Sequence, residues 1–109
     1  MDTIEFQEEV KVILLNKANV VLGIYQLSKG GIAQSIVDIK IILSVALKTH
    51  SSSIVLIHNH PTGTLVPSNA DIQITQKLIQ ACKAVDLILL DHLIISKEGY
   101  YSLADNGKT

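Results

Sequence analysis

Apolar and polar positions along this chain change period several times, and each change marks an element. From Glu8 to Leu15, Val10, Val12 and Leu14 fall on one face and Ile13 and Leu15 on the other, so the segment reads as a strand. Lys17-Ala18-Asn19 forms a short turn, and Val20 to Leu27 reads as the returning strand of a hairpin until Lys29-Gly30-Gly31 breaks the pattern. Ser35-x-x-Asp38 reads as a capping box ahead of Ile36, Ile39, Leu43, Ala46 and Leu47 at helical spacing. His50-Ser51-Ser52-Ser53 ends that helix and leads into a β-branched central strand, Ile54 to His58. A second helix is predicted over Asn69 to Val85, with Ile72, Thr75, Leu78, Ile79, Cys82 and Val85 as its buried stripe. Ile88 to Ser96 is too β-branched and too short to prefer a helix, Tyr100 to Leu103 is a short last strand, and Asp105 to Thr109 reads as a mobile tail. The order β-β-α-β-α-β-β predicts an α/β fold, a mixed sheet flanked by two main helices.

Composition narrows the class. With 109 residues, 48% apolar and 17% charged, the sequence predicts one globular domain over 1–109 with its core in about 6–104, needing no disulfides to hold it. Cys82, the only cysteine, lies on the stripe of the second helix and reads as core packing. No stretch reaches the ~18 apolar residues of a membrane span, and the acidic start Met1-Asp2-Thr3-Ile4-Glu5 is unlike a signal peptide, so a cytoplasmic location is expected. The formal charge is −1, and the nine basic residues are all lysine and scattered. Without arginine, a basic cluster or many aromatic rings, direct nucleic-acid binding by this domain is not expected.

The chemistry concentrates in one stretch: His58-Asn59-His60, seven residues, Ser68, two residues, Asp71. Residues two apart in an extended chain share a face, so both imidazoles can aim at one point beyond the strand. Pro61, Thr62 and Gly63 turn the chain, and Asp71 falls in the first turn of the second helix, within reach of the histidines. Two neutral imidazoles and a carboxylate, with a fourth position left to water, make the ligand set of a catalytic zinc site. The competing reading of Ser68 and Asp71 is a helix N-cap, and one hydroxyl can serve both a cap and a developing oxyanion. Asn59 should face away from its neighbours. In Asp91-His92 at most one side chain can approach the site, as a buried pair or an orienting partner rather than a ligand. His50 reads as a surface residue at a helix end.

The spacing resembles the JAMM (MPN-plus) metalloprotease signature. The longer run HNHPTG-x-x-x-P-S-x-x-D-x-x-I-T, with LLDHLIIS and Tyr101-Ser102-Leu103 further on, is similar to the RadC branch of the JAB superfamily from about Glu8 to Asp105. Thr62 stands where that family more often has Ser, and many RadC proteins carry a helix-hairpin-helix segment before the position where this sequence begins. The resemblance implies a cytidine-deaminase-like architecture and a zinc-dependent hydrolase of a peptide or isopeptide bond, with zinc held by His58, His60 and Asp71 and Ser68 aiding the oxyanion. It also implies a general base at the start of the first strand. That position is Glu8, with Glu9 beside it; alternation puts Glu8 on the face of Val10 and Glu9 on the other. The expected partner is a protein or peptide substrate. The alternative is a non-catalytic or DNA-repair-associated binding module of the same family.

Overall fold

A computed structural model describes residues 8–30, 37–60 and 65–108, with the side chains of Glu8 and 28–30 outside the description. Its elements follow the expected order. Strand β1 spans Glu8–Leu15 and β2 Val21–Gly30, followed by helix α1 over Ile39–Lys48 and strand β3 over Ser53–Asn59. Helix α2 spans Asn69–Ala84, and strands β4, Ile88–Ser96, and β5, Gly99–Ser102, complete the chain.

The hairpin between β1 and β2 is held by Asn16, whose Oδ1 accepts from the amides of Ala18 at 2.8 Å and Val20 at 3.0 Å. Asn19 closes it at φ 61, a left-handed conformation that asparagine tolerates. Strand β2 does not break at Lys29. It runs on to Gly30, opposite Glu8, because an irregularity between Val10 and Lys11 absorbs the extra residue Leu27. Helix α1 also begins differently from the capping-box expectation. Asp38 is itself the N-cap, accepting from the amides of Lys40 and Ile41, while Ser35 and Ile36 lie outside the described residues. The buried stripe shifts accordingly: Ile42 and Ala46 are buried, and Leu47 is half exposed.

The strand order is β2-β1-β3-β4-β5, with β3 and β4 parallel and the other pairs antiparallel. Strands β2, β3 and β4 therefore run the same way, and their two helical crossovers step across the sheet in one direction. Right-handed crossovers of that kind put both helices on one face. The core agrees, since Val10, Val12, Leu14, Ile54 and Leu56 of the sheet pack with Ile42 and Ala46 of α1 and Leu78 and Cys82 of α2. Each helix ends on a residue in the left-handed region, His50 at φ 55 and Asp86 at φ 59.

The C-terminal segment up to Lys108 is tied to the fold where a mobile tail is expected from Asp105. Gln76 Nε2 donates to the Lys108 carbonyl at 2.8 Å, and the Lys108 amide donates to Leu103 at 2.8 Å. Among the described residues no helix is long and apolar enough to cross a membrane.

Candidate metal centre

The buried run Ile54 to Ile57 carries β3 through the middle of the sheet and delivers His58 at its far end, opposite Val10 of β1 and beside Ile94 of β4. Both neighbouring strands fix that backbone. His60, just beyond the strand, is pinned by its amide, which donates to the Ile95 carbonyl at 2.9 Å. The facing group comes from α2. Ser68 caps this helix, its hydroxyl accepting from the Asp71 amide at 3.0 Å, while Asp71 Oδ2 accepts from the Ser68 amide at 2.8 Å. This reciprocal pair is a capping box.

Asp71 is more than a cap. Its Oδ1 lies 3.0 Å from His58 Nδ1 and its Oδ2 lies 3.2 Å from His60 Nε2. The carboxylate is 5% exposed, yet it stays ionised. Burial by itself would raise its pKa, but the side-chain hydrogen bonds of His58 and His60, and then the Ser68 amide, hold it well below the ordinary carboxylate range.

Donor spacing decides how well an ion would fit. Bonds of about 2.0–2.1 Å to histidine nitrogen and carboxylate oxygen set tetrahedral ligand atoms about 3.3 Å apart. The two Asp71–histidine separations run to different oxygens, 3.0 Å from Oδ1 to His58 and 3.2 Å from Oδ2 to His60, so they set both imidazoles against one carboxylate. The donor types, two imidazoles and one carboxylate, also suit a borderline divalent ion.

A third imidazole also stands in this cluster. Ligand atoms of His58, Asp71 and His92 lie within 4.8 Å of one another, and all three residues are buried. His58, Asp71 and His92 thus form a group that could hold a metal ion. The His92 ring lies nearly parallel to that of His58, with centroids 6.1 Å apart. Burial pushes the His92 pKa down to about 4, although the nearby Asp71 charge works against it. Alternation in the sequence leaves open whether Asp91 or His92 faces the helices. The register of β4 decides it, pairing His92 with Leu56 and setting it on the helix-covered face of the sheet.

Its neighbour Asp91 turns the other way and organises the C-terminal turn. Its Oδ1 accepts from the His92 and Ala104 amides at 2.7 and 3.0 Å, and its Oδ2 from the Ser102 hydroxyl at 2.5 Å. Glu8 heads β1, two positions before Val10, and its side chain lies outside the described residues. Glu9 pairs with Asn59 across the strands and contacts Gln26 Nε2 at 3.4 Å and Lys11 Nζ at 3.8 Å. Glu9 is thereby engaged with neighbouring β1 and β2 side chains.

The mixed sheet, the helix-borne carboxylate and the histidines at the strand end define an α/β domain with a candidate metal centre. A RadC-like JAB domain model matches residues 1–108, and the chain belongs to that family. Relatives named UPF0758 protein are similar to it. The one from Flavobacterium johnsoniae is 47% identical over 92% of this chain, and that from Porphyromonas gingivalis 42% over 93%. A third, from Streptococcus sanguinis, is 45% identical over 88%. The chain spans 44%, 45% and 42% of these relatives, so it corresponds to less than half the length of each.

Proposed function

We propose that this domain is a zinc-dependent hydrolase of peptide or isopeptide bonds, with His58, His60 and Asp71 as the metal ligands. The observation that carries this reading is the buried carboxylate of Asp71 held against both imidazoles, 3.0 Å from His58 and 3.2 Å from His60. When bound, zinc polarises an acyl oxygen and lowers the pKa of water from ~15.7 toward ~7, which makes hydroxide accessible at neutral pH.

The remaining work falls to the chain. The Asp71 carboxylate, kept ionised by its partners, supplies the negative charge that a dication needs. Glu8, at the head of the strand next to β3, accepts the proton of the attacking water and returns it to the leaving nitrogen. The Ser68 hydroxyl oxygen accepts from the Asp71 amide. Its own proton is left to donate to an oxyanion.

A second reading rests on the same contacts. Without an ion, the Asp71 carboxylate is already partnered by both imidazoles, as suits a non-catalytic binding module of the family. Metal content by mass spectrometry separates the two. Purified chain should carry about one zinc per molecule, lost in His58→Ala and Asp71→Ala, while Glu8→Gln keeps the metal and loses hydrolysis of peptide and isopeptide substrates. Wild-type protein that takes up no zinc on reconstitution sinks the hydrolase reading. Activity surviving in Glu8→Gln removes only the base assignment.

A further inference from the structure

Behind Asp71 lies a buried polar chain that the proposed chemistry does not use. Thr75, one turn further along α2 and 0% exposed, donates its hydroxyl proton to the Asp71 carbonyl at 2.7 Å. The same oxygen lies 2.6 Å from Nδ1 of His92, which is 1% exposed. A hydroxyl has a single proton. We assign that proton to the Asp71 carbonyl, so that Thr75 accepts from His92 and the imidazole carries its hydrogen on Nδ1. Its Nε2 then keeps a bare lone pair, and that atom is buried with no hydrogen-bond partner among the described residues.

A threonine hydroxyl bonded to the carbonyl four residues back is ordinary in a helix and by itself only structural. Here the same hydroxyl also fastens the first turn of α2 to β4, the strand parallel to the one that carries His58. The carboxylate of Asp71 and the imidazole of His58 thus have their separation set from two sides. The capping box holds the outer side and the Thr75–His92 bond the inner one.

We infer that Thr75 and His92 are positioning residues of the metal centre, a bracket that aims the Asp71 carboxylate at the histidines before an ion arrives. The inference rests on the metal-binding part of the proposed function. It assigns His92 an orienting role through Nδ1 and leaves ligation to His58, His60 and Asp71. Residues that orient ligands in this way typically change metal affinity by about 10–100-fold when removed.

The test is zinc affinity of the whole chain by chelator competition, with the visible spectrum of the cobalt-loaded protein and the melting temperature of the metal-free protein alongside. Thr75→Val removes the hydroxyl and Thr75→Ser keeps it. His92→Asn retains an N–H donor near the Nδ1 position, and His92→Leu does not. The bracket requires a loss of about 10–100-fold in Thr75→Val and His92→Leu, with Thr75→Ser and His92→Asn restoring affinity and the cobalt spectrum. Thr75→Val binding zinc as tightly as wild type overturns the inference. So does a His92→Asn protein that is as defective as His92→Leu with an altered cobalt spectrum, which would make Nε2 a ligand. Should Thr75→Val fail to fold, the two His92 variants decide alone. Wild type that binds no zinc overturns the metal reading and the bracket with it, an outcome distinct from zinc binding that ignores Thr75.

Discussion

Ser68 and Asp71 hold each other at the start of α2, each accepting a hydrogen bond from the other's amide, at 3.0 and 2.8 Å. The carboxylate that closes this capping box is the same one that meets both histidines. Cap and candidate site are therefore one construction, and a change to either is felt by both.

Ser68→Ala should cost about 0.5–2 kcal/mol of stability, the usual loss for a serine cap. Urea unfolding of the metal-free chain measures it. Because the Asp71 amide loses its acceptor, zinc affinity should fall in the same variant. Stability lost with zinc affinity intact would mean that cap and site are independent.

Acid should destabilise the metal-free protein in two overlapping steps. The His92 pKa is depressed to about 4 in the fold against about 6.5 for a free imidazole. Between those values the unfolded chain binds more protons, so stability falls as pH drops from about 6.5 to about 4. Asp71 is depressed as well, and the stability it contributes is present above its unfolded value near 3.8 and is lost below it. Thermal melts from pH 8 to pH 3 should show a decline that begins near 6.5. In His92→Asn the first step should vanish, and its persistence would assign it to another group.

Burial pushes the Cys82 thiol up to about 11, and the side chain is 1% exposed. At pH 8 it should resist a disulfide reagent in the native protein and react promptly once the chain unfolds. Fast native-state labelling would show that α2 opens readily.

Leu56 is 0% exposed and lies in the sheet between Val12 of β1 and His92 of β4. Leu56→Ala should lower stability by about 2–5 kcal/mol through lost contacts and the cavity left behind. A shift in urea midpoint without a change in slope is the expected signature.

Much of this architecture is legible in the residues because local rules and tertiary packing agree. Alternation in Val10 to Leu14 and the β-branched run of Ile54 to Ile57 read directly as strands, and Ser68 and Asp71 read as a cap, with Asp71 also a ligand candidate and Ser68 an oxyanion donor. Where the reading slipped, a longer-range fact decided. The extra residue Leu27 let β2 continue through Lys29, which depends on its pairing with β1. Asp38 is the N-cap of α1, and the buried residues of that helix are Ile42 and Ala46. For Asp91 and His92, alternation says only that they diverge. Which of them faces the helices depends on register against β3. Glu8 could be nominated only from family resemblance, since spacing has no signal for a proton acceptor some 50 residues from the histidines.

The position of β3 bears on how this chain is made. His58 to Asp71 is a short contiguous segment, but its strand is clasped between β1, which is synthesised early, and β4, which ends only at Ser96. Until the ribosome has passed that residue, the apolar edge of Ile54 to Ile57 has one neighbour and an unmatched row of amides and carbonyls. Such an edge invites pairing with other nascent chains. The strand that ends in the candidate site is thus the one most in need of shelter during synthesis.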